Sequence, residues 1–180
     1  MEKIAIVGPP GAGKTTLTNN LSPILKIKAF HLDRFFWQHN WEKETKDNRI
    51  DILQQLIQEK QWIIEGTYIH STELHLTAAD TIIFLDIPSL VCLLRLIKRY
   101  RKDHGRPHRD IPEGCKDKLT VYRILKVLSF PRRERKTLMQ KLSDFETKEI
   151  IWLQSKKDLE NFFERLKLNA NEMAAASTTQ

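Results

Sequence analysis

The chain has 180 residues, 41% of them hydrophobic and 29% charged, which suits one domain with a single sizeable core better than two small ones. No apolar run approaches the ~20 residues that span a bilayer, residues 4–7 lack the form of a signal peptide, and two cysteines without CxxC spacing, Cys92 and Cys115, suggest neither a disulfide framework nor a zinc site. Net charge is +7 but uneven: fifteen Lys/Arg against five Asp/Glu lie between Arg95 and Lys136, a local balance of +10 that leaves about −3 elsewhere.

These features predict free thiols in a reducing cytoplasm and no membrane partner. The basic segment suits a nucleic-acid backbone or the phosphates of a small ligand, and composition does not choose between them.

In chain order, the β-branched run over residues 3–7 predicts a buried strand, and 14–21 a helix that stops near Pro23. Residues 27–32 predict a second strand. Ile50, Leu53, Leu56 and Ile57 recur at helical spacing within 47–60. A third strand is expected over 61–65 and a fourth over 81–86, ended by Pro88, before an amphipathic helix over 89–100. Gly105, Pro107 and Pro112 sit among charges, so 101–112 reads as a loop. Helices around 116–128 and 132–142, a fifth strand over 149–153 and a helix over 156–166 complete the pattern. The small, polar tail 169–180 is expected to be disordered.

Strands alternating with helices predict a three-layer α/β fold: a five-stranded parallel sheet with helices on both faces. Ligands of such sheets bind beyond the carboxyl ends of the strands. Gly8, Asp33, Glu65 and Asp86 all fall at or just after a predicted strand end, so one fold gathers them along one edge.

Gly8, Pro9, Pro10, Gly11, Ala12, Gly13, Lys14 and Thr15 match G-x-x-x-x-G-K-[ST] in full, between a predicted strand and a predicted helix. Glycines let backbone N–H groups wrap phosphate oxygens as an anion nest. The helix that follows, with Thr16 in its first turn, adds its positive dipole end. The motif predicts binding of a nucleoside triphosphate, ATP, with Lys14 reaching the β- and γ-phosphates and the Thr15 hydroxyl on Mg²⁺. A phosphate site of this type needs a second acidic group for the ion. Glu65, ending the strand before Gly66, is the candidate.

The phosphate loop, the strand ending in Glu65-Gly66, the run 80–88, and Arg95 and Arg99 four residues apart resemble the nucleoside monophosphate kinase branch of P-loop proteins, the adenylate kinase relatives. More narrowly, His31-Leu32-Asp33-Arg34-Phe35-Phe36-Trp37, residues 62–68 and Arg106-Pro107 look like the FlaR-like DNA topology modulation protein group, over roughly residues 1–166. That branch usually carries Asp where this chain has Glu65. The resemblance implies a P-loop NTPase fold in a single domain over 1–168, with an acceptor-side insertion about 33–60 and a helical and loop lid about 100–118.

In hydroxyl-phosphorylating relatives, an acid after the second strand accepts or orients the acceptor hydroxyl, and the resemblance implies that role for Asp33. Phe35, Phe36, Trp37 and Trp41 are either a stacking pocket for a planar acceptor or core beneath the next helix. Arg34 faces an anionic acceptor or a surface acid, Gly66, Thr67 and Tyr68 are candidates to line the acceptor site, and His31 reads as structural. The resemblance further implies Arg99 as the phosphate contact and Arg95 as the base-side one. Arg106 and Arg109 lie in the expected lid, and Arg123 on the helix after it faces back to the phosphates.

Two functions follow as expectations. The first is a Mg²⁺- and ATP-dependent phosphotransferase acting on a nucleoside, nucleotide or other small acceptor. The second is an ATP-binding, DNA-associated regulatory ATPase. Nucleic acid is the less favoured partner, because Tyr100, Tyr122 and Phe130 are too widely spaced for a stacking platform.

Overall fold

The computed structural model describes residues 1–37, 42–68, 72–103, 119–145 and 147–177. The elements run β1 (Lys3–Val7), α1 (Lys14–Leu25), β2 (Ala29–His31), α2 (Leu32–Phe36), α3 (Lys46–Ile57), β3 (Trp62–Glu65), α4 (Thr72–Ala78), β4 (Thr81–Leu85), α5 (Ser89–Asp103), α6 (Val121–Ser129), α7 (Glu134–Ser143), β5 (Glu149–Leu153) and α8 (Lys156–Ser177).

The five strands form one sheet in the order β2-β3-β1-β4-β5, and every neighbouring pair is parallel. Ile6 lies opposite Glu65 on one side and Ile83 on the other, and His31 lies opposite Glu65. The carboxyl ends of β2, β3 and β1 are thereby brought level.

Successive side chains of a strand point to opposite faces, and both faces of the central strands β1, β3 and β4 are buried. On one, Ile4, Ile6, Ile63, Ile83 and Leu85 pack with Leu17 and Leu21 of α1, Cys92 and Leu96 of α5 and Phe162 of α8. On the other, Ala5, Val7, Trp62, Ile64, Ile82 and Phe84 pack with Leu32 and Phe36 of α2, Leu53 of α3, Leu76 of α4 and Leu138 of α7. Each fully buried side chain of this size contributes about 1.5–3 kcal/mol. The β-branched runs read as continuous apolar segments because a central parallel strand has no solvent face.

Several boundaries differ from the sequence expectation. Helix α1 continues through Pro23 to Leu25. Pro23 and Asn19, whose carbonyl loses its helical partner there, are both exposed, so water can take the bond. Helix α2 begins at Leu32, expected as the last residue of a strand, and no helix was expected over the residues that follow; Leu32 and Phe36, four apart, are both buried. Helix α4 was likewise not expected, and it buries Thr72, His75 and Leu76. Both are too short for apolar periodicity to register. Helix α8 runs to Ser177 rather than ending at 166 before a disordered tail. Its last turns contain Ala174, Ala175 and Ala176, the strongest helix formers. Cys92 is a buried free thiol, raised by burial, with Sγ 3.6 Å from the Ile87 carbonyl. Helix α5 runs to Asp103, three residues into the expected 101–112 loop; the rest of that loop, with Arg106, Arg109 and most of the expected lid, lies outside the described residues, as do Trp41 and Cys115.

Candidate active site

The loop after β1 turns sharply into α1. Gly11 sits at φ +81°, and a Cβ there would lie 2.6 Å from the Cys92 carbonyl oxygen. Glycine is therefore required for the loop to rest against α5. Gly13 precedes α1 at φ 102° with no side-chain cap, and the first turn holds no acid. The uncapped N–H groups and positive dipole end of α1 face the loop interior, an arrangement that favours an anion. Lys14 Nζ reaches back across the loop and donates to the carbonyls of Gly8 and Pro9, both at 3.1 Å.

Neighbouring elements hold the loop at three points. Thr67 Oγ1 accepts from Gly8 N and donates to Gly8 O, each at 2.9 Å, tying the segment after β3 to the loop entrance. Arg95 of α5 donates from Nη1 to Ala12 O at 2.8 Å. Thr15 Oγ1 donates to Glu65 Oε1 at 2.9 Å.

Glu65 is buried and also accepts from His31 Nδ1 at 3.0 Å. Burial alone would raise its carboxyl; the His31 hydrogen bond, the Lys14 charge, the His31 charge and the Thr15 hydroxyl together outweigh burial and hold it below the ordinary value. The structural role expected of His31 is thus specific: it fixes the carboxylate that faces Thr15.

Toward β2, Asp33 lies in the first turn of α2. The Tyr68 hydroxyl donates to Asp33 Oδ1 and accepts from Trp37 Nε1, the latter at 3.0 Å. Burial and the Asp33 carboxylate push the Tyr68 hydroxyl far above its usual range, so it remains a donor. The aromatic run divides: Phe36 joins the core and meets Tyr68 edge-on at 4.8 Å, Trp37 faces the site, and Phe35 is exposed against Phe30. Phe36 thus follows the core alternative, while Trp37 lines the cavity.

One cavity of about 650 Å³ joins the two regions. Its walls include Gly8, Pro10, Gly11, Gly13, Lys14, Thr15 and Thr16 of the phosphate loop, with Asp33, Trp37, Glu65, Gly66, Thr67 and Tyr68. Arg95, Arg99 and Arg123 close it from α5 and α6. Pro9 and Ala12 contribute backbone carbonyls and are not among its walls. Arg34 is exposed and does not line it. Asp86 stands apart: both its oxygens accept from Arg135 at 2.8 Å and one also from Gln154 at 3.2 Å.

Sequence reasoning did not single out Lys43, Arg49, Tyr122, Lys126 or Glu134, which also line the cavity. Arg49 sits one turn after the N-cap Thr45, whose hydroxyl accepts from Asn48 N, so the Thr45-Lys46-Asp47-Asn48 capping pattern was the available signal. Lys43 is brought in by a single antiparallel bridge to Trp37, and no local pattern announces that.

No family model and no curated protein matches this chain. Solved structures do. A shikimate kinase from Acinetobacter baumannii in complex with shikimate matches at 18% identity over 96% of this chain and 94% of that one, with a TM-score of 0.60. A shikimate kinase from Bacteroides thetaiotaomicron matches at 16% over 93% and 97%, TM-score 0.53. An unliganded sugar kinase from a Janibacter species matches at 16% over 96% and 95%, TM-score 0.50. At these identities the likeness carries the fold: this is the P-loop NTPase fold of those kinases.

Proposed function

We propose that the chain is a Mg²⁺- and ATP-dependent phosphotransferase that phosphorylates a hydroxyl of a small acceptor. The observation that carries the reading is that a complete phosphate loop and Asp33 face one cavity, with the Glu65–Thr15 pair between them. Acceptors as different as those of the shikimate and sugar kinases above are compatible with it.

The approach of the Thr15 hydroxyl to Glu65 fits a Mg²⁺ site. Both are hard oxygen donors, and this ion takes one or two protein groups beside phosphate oxygens and water. When bound, it neutralises charge on the β- and γ-phosphates. The loop N–H groups and Lys14 hold the triphosphate, and Arg99 and Arg123 stabilise the charge spread over the transferring group. Asp33 takes the acceptor's hydroxyl proton as the new P–O bond forms and the bond from the γ-phosphorus to its bridging oxygen breaks. Tyr68 holds Asp33 toward that task.

The narrower resemblance to the topology modulation group supplies the alternative, an ATP-binding, DNA-associated regulatory ATPase. It expects duplex binding that weakens steeply with salt. Arg95, Arg99, Arg123 and Lys126, four cations of the basic segment, line the cavity instead, which supports a small ligand. The test is ADP formation by the purified protein over a panel of nucleosides, nucleotides, sugars and hydroxy acids, with Lys14→Met as control. ADP release that requires one acceptor class and is lost in Lys14→Met supports transfer. No ADP with any acceptor, alongside salt-sensitive duplex binding, overturns it.

A further inference from the structure

We infer that Thr67 is a positioning residue for the transfer: its hydroxyl holds Gly8 while Lys14 turns to the phosphates, and so keeps the phosphate loop in register with Asp33. The inference rests on the phosphotransferase reading and deepens it.

Gly8 opens the loop after β1 and is buried. At φ +151° it passes so close to β4 that a Cβ would lie 2.5 Å from the Leu85 carbonyl oxygen. Thr67 grips it as well. The hydroxyl meets both backbone groups of Gly8, accepting from N and donating to O, each at 2.9 Å. Buried backbone groups require partners, and a single side chain that satisfies both groups of one residue leaves that residue little freedom to turn.

The Gly8 carbonyl has two side-chain donors, Thr67 Oγ1 at 2.9 Å and Lys14 Nζ at 3.1 Å, and Lys14 also reaches the Pro9 carbonyl at 3.1 Å. In the proposed reaction Lys14 serves the β- and γ-phosphates. It therefore gives up these carbonyls as the nucleotide enters. Thr67 is the donor that stays on Gly8 through that exchange.

The same short segment reaches the proposed base. Gly66 N donates to the Ile6 carbonyl at 3.1 Å, and a Cβ on Gly66 would lie 2.9 Å from Cβ of Leu32, the residue before Asp33. Tyr68 follows Thr67 directly and donates its hydroxyl to Asp33. The Tyr68 backbone N–H donates to Thr72 Oγ1 at 2.9 Å, and its carbonyl accepts from Thr72 N at 2.7 Å, which fixes the far end of the segment to α4. Residues 66–68 thus form a strap with Thr67 on the loop and Tyr68 on Asp33. Adjacent Cα atoms stay about 3.8 Å apart whatever the loop does. Reacting atoms must be held about 3–3.5 Å apart, so a loop entrance that slips relative to Asp33 slows transfer even when ATP is bound.

The experiment compares the full chain as wild type, Thr67→Val, Thr67→Ser and the double variant Thr67→Val with Tyr68→Phe, each checked for folding by circular dichroism. The first readout does not depend on transfer: amide hydrogen exchange at Gly8, followed by NMR with Mg²⁺ and a non-hydrolysable ATP analogue bound. Thr67→Val is expected to speed Gly8 exchange by about 10-fold, in keeping with one lost hydrogen bond, and Thr67→Ser to restore it. The second readout is turnover with the acceptor that supports ADP release. Thr67→Val is expected to lower kcat by about 10–100-fold, with the Kd of the analogue and the acceptor KM little changed, and Thr67→Ser to recover most of the loss. A merely structural role would lower the unfolding midpoint without that split. The double variant should lose less in kcat than the product of the two single losses, because both side chains act on one strap. Thr67→Ala replaces Thr67→Val if the latter does not fold. Gly8 exchange unchanged in Thr67→Val, kcat unchanged, or a loss lying wholly in the Kd of the analogue would overturn the inference. Gly8 protection that depends on Thr67, without ADP from any acceptor, would sink the transfer reading and leave Thr67 as the residue that holds the loop.

Discussion

The hydroxyl of Thr15 donates to Glu65 Oε1 at 2.9 Å, joining the first turn of α1 to the end of β3. Removing either oxygen donor should raise the Mg²⁺ concentration needed for half-maximal turnover. Thr15→Ala and Glu65→Gln are each expected to raise it about 10–100-fold, and Thr15→Ser to restore it. Mn²⁺ binding followed by electron paramagnetic resonance should shift in parallel. His31→Leu should produce a smaller shift of the same kind, since it removes the donor that orients Glu65.

Asp33→Asn keeps the shape of α2 but removes the proposed proton acceptor. It is expected to lower kcat by about 10²–10⁴ while leaving ATP-analogue binding unchanged. Tyr68→Phe should lower kcat less, because it loosens Asp33 without removing it. Transient kinetics that locate the loss in nucleotide binding would refute this assignment.

Arg95 donates to the Ala12 carbonyl, a loop atom, at 2.8 Å. Its truncation should therefore act through the loop's shape. Arg95→Met is expected to weaken ATP binding by about 10-fold, in keeping with the loss of one charge-assisted hydrogen bond. Gly11→Ala should act more severely on the same loop: the added Cβ meets the Cys92 carbonyl oxygen at 2.6 Å in a left-handed conformation. About 1–3 kcal/mol of stability should be lost, read by chemical denaturation.

Asp86 and Arg135 form a bidentate pair that ties the end of β4 to α7. The Arg135 guanidinium, opposed by burial and aided by Gln154, holds the Asp86 carboxyl below its usual value. A carboxyl whose folded value is lowered contributes stability above its unfolded value, and that contribution disappears as pH falls through the folded value. Arg135 is 37% exposed, so solvent screening limits the pair to about 1 kcal/mol. Asp86→Asn should destabilise by that amount at pH 7 in urea titrations. The difference should vanish well below about pH 4, the unfolded carboxylate range.

The phosphate loop was legible because its chemistry is local. Eight consecutive residues carry every constraint: glycines where the backbone must turn, and Lys14 and Thr15 where the following helix begins. The central strands were legible for a similar reason, since a strand buried on both faces must be largely apolar, as Trp62, Ile63 and Ile64 of β3 and Ile82, Ile83, Phe84 and Leu85 of β4 are. Asp86 shows the limit of that reasoning. A carboxylate at a strand end has the same local signature whether it faces a ligand or an arginine, and the arginine lies 49 residues away.

By itself, then, the sequence determined the α/β class, the nucleotide loop and the short list of acids along one edge, because each rests on contacts a few residues apart or on burial that a strand must express in its own composition. Only the tertiary structure decided the pairings. The Thr15–Glu65–His31 chain, the Trp37–Tyr68–Asp33 relay and the seating of Lys43 and Arg49 beside it all join side chains from different elements. Their partners are chosen by the parallel strand order β2-β3-β1, which brings distant chain ends to one edge. Thr15 and Glu65 became a hydrogen-bonded pair in that way: the loop motif supplied the hydroxyl, and the register of β3 against β1 delivered the carboxylate.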